Sequence, residues 1–317
     1  MAAGPLYTLP ADAVWFITGS SSGVGLALAQ QIASHPTHRL VATARNSSRL
    51  YGLLSTSESV HIVDLDVTSE SAIDAAMDSA LSKFGRIDVM VNNAGHGLVG
   101  DTESALQPEG QAKARNVVET HLWGTIRLSL HAVRVFRDEN PKSGQQGGVV
   151  LNVTSLGGFA GYPGIAFYNA AKFGVEGFTE SLRKEVRPEW NIHFCIIEPG
   201  GTSTNIASAS SLDTFTPHPA YAAADSPTRI LEAYARDPSM QKTWTPAERV
   251  ADAMYQVISL AKSKPLPVRL PLTEGAWKVI KNEVDSVSKE LEEFKALSVS
   301  VEIDDANKSG DFLMENC

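Results

Sequence analysis

Tyr168 and Lys172 stand four residues apart in Tyr168-Asn169-Ala170-Ala171-Lys172, and Ser155 lies shortly before them at the end of an apolar run. On a helix, residues four apart share a face, so the phenol and the ammonium can meet over a common partner. A free tyrosine, with a pKa near ~10, exchanges protons poorly at neutral pH. A neighbouring cation favours its phenolate, and the pair then makes a usable general acid or base. The spacing by itself is common. It gains meaning if the chain also supplies a cofactor site and a further hydroxyl, for which Ser155 is the candidate.

The elements that would position this pair alternate between strand and helix. Ala13–Thr18 is a short apolar run of buried-strand type, stopped by Gly19-Ser20-Ser21-Ser22-Gly23-Val24-Gly25, after which Leu26–Ala33 reads as a helix. Strand, glycine turn and helix in that order form a phosphate-binding unit. The glycines let the backbone approach a pyrophosphate, and the helix N-terminus offers free N–H groups to it. Further strands are expected at Arg39–Ala44, Val60–Leu65, Ile87–Val91, Val149–Thr154 and Ile192–Ile197. Each is apolar on both faces, which predicts a parallel sheet covered by helices, an α/β fold of the doubly wound Rossmann type. Ligands of such sheets bind at the carboxyl ends of the strands, where Gly19, Arg45, Asp66, Asn92 and Ser155 all fall.

In dinucleotide folds, a carboxylate about 20 residues beyond the glycines holds the ribose 2′-hydroxyl, whereas an arginine accommodates a 2′-phosphate. The second strand here ends in Ala44-Arg45 with no carboxylate, which favours NADP(H) over NAD(H). Asp66 has two readings, a contact to adenine or a cap for the helix beginning near Ser69, and the two are compatible.

The 317 residues suffice for a sizeable core, with 43% hydrophobic and 20% charged residues. A net charge of −9 argues against a nucleic-acid or anionic-membrane partner. Two cysteines, Cys195 and Cys317, lack metal-ligand spacing and suit a reducing compartment. With no signal segment or apolar run of membrane-spanning length, the expected location is the cytoplasm.

Taken together, Thr18-Gly19-x-x-x-Gly23-x-Gly25, Asn92-Asn93-Ala94-Gly95, Ser155, Tyr168-x-x-x-Lys172 and Pro199-Gly200 resemble the short-chain dehydrogenase/reductase superfamily over roughly residues 12–205. Within it the chain is similar to a branch acting on hydroxysteroids, retinoids and assorted ketones. The resemblance implies that Tyr168 exchanges a proton with the substrate oxygen and that Ser155 polarises that oxygen. It implies that Lys172 binds the nicotinamide ribose and lowers the tyrosine pKa, and that Thr204 meets the carboxamide. The expected cofactor contacts are Thr18, Gly19, Ser21, Ser22, Gly23, Val24, Gly25, Arg45, Asp66, Val67, Asn93, Ala94, Gly95, Tyr168, Lys172, Pro199, Gly200, Thr202 and Thr204. The implied activity is NADP(H)-dependent hydride transfer to or from a medium-sized, largely apolar ketone or secondary alcohol, by a homodimer or homotetramer.

One departure stands out. Many members carry a catalytic asparagine in an Asn-x-x-Gly stretch, and here Glu119-Thr120-His121-Leu122-Trp123-Gly124 puts His121 in its place. A histidine donates or accepts one hydrogen bond, is larger, and titrates near neutrality. Three readings compete: His121 replaces the asparagine with activity kept, weakens or changes the chemistry, or signals lost catalysis. It also motivates the alternative of a cofactor-binding protein with a non-redox (cyclisation or dehydration) or sensor role. Asn116 is out of register for the part.

Around this centre, a helical region is expected from Ala112 to Val135, a polar loop from Arg137 to Gly148, and a helix from Phe167 to Val186. Residues 1–12 read as a leader, 13–299 as one domain and 300–317 as a polar tail. The 203–245 stretch is a candidate substrate lid with a short helix at Arg229–Arg236 and contacts in Phe215, Tyr221 and Tyr234. Phe159, Tyr162 and Phe167 suggest an apolar pocket. A helix at Pro246–Ala261, a strand near Pro267–Leu272 and an amphipathic helix at Glu274–Leu297 close the chain.

Overall fold

Apolar runs bounded by glycine, proline and polar turns become strands here, and the amphipathic segments between them become the helices that cover both faces of the sheet. The structure, a computed structural model, describes residues 6–55, 57–204, 212–301, 310, 312 and 314. The strands are β1 Val14–Ile17, β2 Arg39–Ala44, β3 Val60–Asp64, β4 Val89–Asn92, β5 Gly97–Val99, β6 Gly148–Val153, β7 Ile192–Pro199, β8 Thr202–Ser203, β9 Leu212–Thr214, β10 Thr245–Pro246 and β11 Arg269–Leu272. The helices are α1 Gly23–Ala33, α2 Glu70–Phe84, α3 Pro108–Val118, α4 Gly124–Arg134, α5 Ala166–Glu185, α6 Pro227–Arg236, α7 Pro238–Gln241, α8 Ala247–Leu260 and α9 Glu274–Val299.

Among the described residues, seven strands form one parallel sheet in the order β11-β7-β6-β4-β1-β2-β3. The order reverses direction at β1 and β4, and a crevice opens there at the carboxyl ends. One face packs on α1 and α8 through Leu28, Ile32, Val250, Met254 and Ile258. The other packs on α2, α4 and α5 through Ile73, Met77, Leu128 and Leu182. This is the doubly wound fold that the alternation predicts. Tyr7, within the expected leader, is buried, and its N–H donates to Ala261 O at 3.0 Å.

Two expectations change. α3 and α4 join through a π-helical turn at Glu119–Trp123, and a second such turn at Val135–Glu139 carries the helical path into the stretch expected as a polar loop. A 3₁₀ turn at Asn140–Ser143 follows, because Asn140 is buried and its side-chain amide serves Ile87 and Gly147. The 203–245 connection is also more structured than a loop. β9 pairs with β5, α6 and α7 follow, and Arg229 bonds the fully buried Asp101 carboxylate at 2.8 Å. Residues 205–211 of that connection, with most of the 300–317 tail, lie outside the described residues. No described helix is long and apolar enough to cross a membrane.

Candidate active site

The glycine turn between β1 and α1 is built by its backbone. Gly19 (φ +69°) and Gly23 (φ +56°) hold left-handed conformations that cost other residues steric strain. A Cβ on Gly25 would lie 2.4 Å from both Asn93 Nδ2 and Gly19 O, so only hydrogen fits. Thr18 Oγ1 accepts from Asn93 N (2.9 Å) and Ala94 N (3.0 Å), and Asn93 Nδ2 donates to Thr18 O (2.9 Å). The two motifs thus lock each other at the sheet edge. Ser22 precedes α1 in extended conformation without capping it through its side chain. A cradle of this shape, opening on a helix N-terminus, fits a pyrophosphate.

At the end of β6, Ser155 Oγ accepts from Gly157 N at 3.1 Å and also contacts Tyr168. Lys172 Nζ lies 5.6 Å from the Tyr168 ring centre and donates to Val153 O at 2.7 Å. Ser155, Tyr168 and Lys172 therefore converge. The expected lowering of the phenol by Lys172 is not what the geometry gives. Burial raises Tyr168 above its ordinary value, and Ser155 is what opposes the rise. Burial also brings Lys172 down to about 7, against the pull of Glu176. A lysine buried in such a dry site is only partly charged at neutral pH.

His121 occupies the π turn, 2% exposed, with its ring edge-on to Tyr168 at 5.1 Å. Its Nε2 lies 2.6 Å from His96 O and 3.1 Å from His96 N. One nitrogen cannot donate and accept at once, and the shorter contact assigns a proton to Nε2, donated to the carbonyl. Burial, then the Lys172 charge, hold the imidazole well below its ordinary pKa, so the ring is neutral. Nδ1 is buried without a hydrogen-bond partner among the described residues. The ring lies so close to Gly95 that a Cβ there would stand 2.2 Å from His121 Cε1.

Behind Lys172 lies a group that the sequence reading missed. Glu176, one turn along α5, and Glu198, within β7, are both buried and share Arg269, whose Nε is 2.9 Å from Glu176 and 3.5 Å from Glu198. Arg269 also pairs with Glu180, and Thr154 Oγ1 donates to Glu176 at 3.1 Å. Burial raises both buried carboxyls, and their mutual repulsion adds to the rise at Glu198. The two carboxyls also hydrogen-bond each other, which requires a proton on one of them. The available signal was a carboxylate inside the apolar run Ile196-Ile197-Glu198 and another four residues after Lys172. His96 was missed too, although it directly follows the Asn-Asn-Ala-Gly motif.

Arg45 is exposed at the end of β2, near enough to His96 to disfavour its protonation. Asp66 accepts from Thr68 N (2.9 Å) and Thr68 Oγ1 (2.7 Å), while Ser69 caps α2. Asp66 thus closes the turn rather than capping the helix itself. Val67 packs against Gly124. Past Pro199, Gly200 abuts Thr273, Thr202 Oγ1 donates to Gly200 O, and Thr204 meets Gly23, where a Cβ would lie 3.0 Å from it. The Pro-Gly segment and the glycine turn therefore approach one another. Ser21 sits within that turn, and Val24 in the first turn of α1.

Of the expected lid contacts, Phe215 is core, packed on Phe167, Leu98 and Val117. Tyr221 donates to Glu103 at 2.9 Å, and Tyr234 is exposed. Phe159 lies under Arg269 and Phe167 packs on Phe215, while Tyr162 is half-buried and near enough to Glu283 and Tyr234 for both to raise its phenol. A cavity of about 1050 Å³ runs along α3 and the π turn, lined by Leu106, Ala114, Val118, Trp123 and Phe167; Ser155, Tyr168 and Lys172 do not line it.

Comparison with known proteins shows the family and the fold. The pattern described as short chain dehydrogenase matches residues 13–214. Oxidoreductase calM of Penicillium decumbens is 41% identical over 295 residues, covering 92% of this chain and 94% of its own. A short-chain dehydrogenase from Streptomyces avermitilis superposes with a TM-score of 0.77 at 28% identity, over 92% of this chain and 98% of its own. The 3-ketoacyl-(acyl-carrier-protein) reductase of Brucella melitensis, solved with NADH, gives 0.65 at 25% identity over 83% and 98%.

Proposed function

The chain belongs to the short-chain dehydrogenase family and is an oxidoreductase of that family; from this premise we propose that it uses NADP(H) to interconvert a medium-sized, largely apolar ketone and its secondary alcohol. The observation that carries the reading is the convergence of Ser155, Tyr168 and Lys172 beside the glycine cradle. The nicotinamide, when bound, supplies or accepts the hydride. Tyr168 gives its phenolic proton to the carbonyl oxygen in reduction and recovers it in oxidation. Its raised pKa suits the acid role, since the phenol keeps its proton until the substrate oxygen demands it. Ser155 steadies the same oxygen by hydrogen bonding. Lys172 anchors the ribose hydroxyls and gains charge as it gains partners. Thr18, Gly19, Ser21, Ser22, Gly23, Val24 and Gly25 hold the pyrophosphate. Val67, Asn93, Ala94 and Gly95 flank the adenosine half, while Pro199, Gly200, Thr202 and Thr204 flank the carboxamide. Arg45 faces the 2′-phosphate, a role supported by the absence of a carboxylate at the end of β2.

The test is turnover over a panel of carbonyls with NADPH and with NADH, repeated for Tyr168→Phe. NADPH is expected to be preferred, and loss of the phenol to lower kcat by at least about 100-fold with NADPH binding kept. Full activity in Tyr168→Phe refutes the proton role and points instead to a non-redox use of the cofactor. Equal affinity for the two cofactors removes the assignment of Arg45.

A further inference from the structure

The last helix, α9, meets the body through its first two turns, where Ala276 is buried, Val279 and Ile280 are half-buried, and Glu283 lies near enough to Tyr162 to raise the phenol. Thr273 Oγ1 accepts from Ala276 N at 3.1 Å, and Ala276 is fully buried. From Lys281 to Ser300 every residue is exposed. The helical part of this stretch, Lys281 to Val299, spans about 28 Å, and an isolated helix of that length is marginal in water without an apolar face to bury.

Such a face is present. Trp277, Ile280, Val284, Val287, Leu291 and Phe294 recur at spacings of three and four, the a and d positions of a heptad. Trp277 is 57% exposed, Leu291 64% and Phe294 54%. Through Phe294 the stripe is narrow, as in a two-helix seam rather than a helix laid on a globular core.

The charges beside the stripe indicate the occupant. In this register the g positions carry Glu283 and Glu290, and the e positions carry Lys281 and Lys295. In a parallel pair, g of one helix faces the following e of the other, so Glu290 meets Lys295 of a second copy. An antiparallel pair sets glutamates against glutamates and lysines against lysines. An anionic lipid surface is disfavoured as well, because Lys281–Lys295 carries three lysines against five carboxylates. We propose that α9 pairs in parallel with α9 of a second copy of this chain, burying the Trp277–Phe294 stripe as a short coiled coil.

The test places a single cysteine at a d position, Val287→Cys or Phe294→Cys, in the full chain with Cys317→Ser; Cys195 is buried. Mild oxidation is expected to give a disulfide-linked dimer at both positions. A cross-link at only one position indicates antiparallel pairing and overturns the proposal, as does no cross-link at either. In the Val287→Cys background, Glu290→Lys should slow cross-linking about tenfold, and Glu290→Lys with Lys295→Glu should restore it. An unchanged rate in the single reversal, or no recovery in the double, refutes the charge register. Sedimentation with phosphatidylserine vesicles that Leu291→Ser abolishes would assign the stripe to a membrane instead.

Discussion

At the residue scale, His121 does with one nitrogen what an asparagine would do with an oxygen and an NH₂ group. Nε2 donates to His96 O and leaves the adjacent His96 N–H poorly matched, whereas an asparagine at this site can accept from one and donate to the other. His121→Asn is therefore expected to keep activity within a few-fold. Because burial keeps the ring neutral, its pH–rate profile between pH 6 and 8 should overlay that of the parent. An ionisation seen in the parent's profile and lost in that of His121→Asn refutes the neutral-ring assignment. His121→Ala removes both the bond and the ring packed on Gly95, and should cost about 2 kcal/mol or more in urea unfolding. Lys172 gives a second prediction, with its sign fixed by linkage. Its folded pKa is lowered to about 7 from 10.5, so between those values the unfolded chain binds a proton that the folded chain does not. Stability from this group is lowest below pH 7 and rises toward pH 10.5. Lys172→Met should thus be the more stable protein at pH 6 by roughly 2 kcal/mol, after allowing for the lost bond to Val153 O, and the advantage should vanish near pH 10. A melting temperature below the parent's at pH 6 would contradict it.

At the scale of elements, α5 carries both faces of the problem: Tyr168 and Lys172 toward the crevice, and Glu176 and Glu180 toward Arg269 on β11. The buried Glu176–Glu198 pair binds a proton in the folded state that two free glutamates release at lower pH. Folded-state pKa values above the unfolded ones make the pair's contribution fall as pH rises past the ordinary carboxylate range. Glu198→Gln, which keeps the shape of the protonated acid, should raise the melting temperature above pH 8 and change little near pH 4.5. A drop at pH 8 would mean that Arg269 depends on an ionised Glu198. This element also shows where reading by pattern works and where it stops. The Tyr168-x-x-x-Lys172 spacing, the glycine turn and the parallel strands were legible because each follows from a local period or a steric requirement. The carboxyl pair was not, since Glu176 and Glu198 meet Arg269 only through packing across 93 and 71 positions of chain. The π turn that carries His121 was equally hidden, and so was its contact with His96, made across 25 positions of chain. Phe215 read as a lid aromatic for the same reason: its burial depends on β9 pairing with β5.

At the scale of the whole molecule, the cofactor site proposed above draws on the ends of β1, β2, β4, β6 and β7, so on that proposal ligand binding and global stability are coupled. A ligand that binds only the folded chain stabilises it by RT ln(1 + [L]/Kd), about 2.7 kcal/mol at a hundredfold excess over Kd. NADPH is expected to raise the melting temperature in a concentration-dependent way and NADH to do so less. Two substitutions divide this response. Arg45 is exposed, so Arg45→Ala should leave the melting temperature of the free protein unchanged while reducing the NADPH shift to the NADH level. Gly25→Ala forces a methyl into the 2.4 Å contacts with Asn93 Nδ2 and Gly19 O, where backbone cannot yield cheaply. It should lower the melting temperature of the free protein and abolish the response to both cofactors. A Gly25→Ala protein that melted normally and still answered to NADPH would place the pyrophosphate elsewhere than this turn.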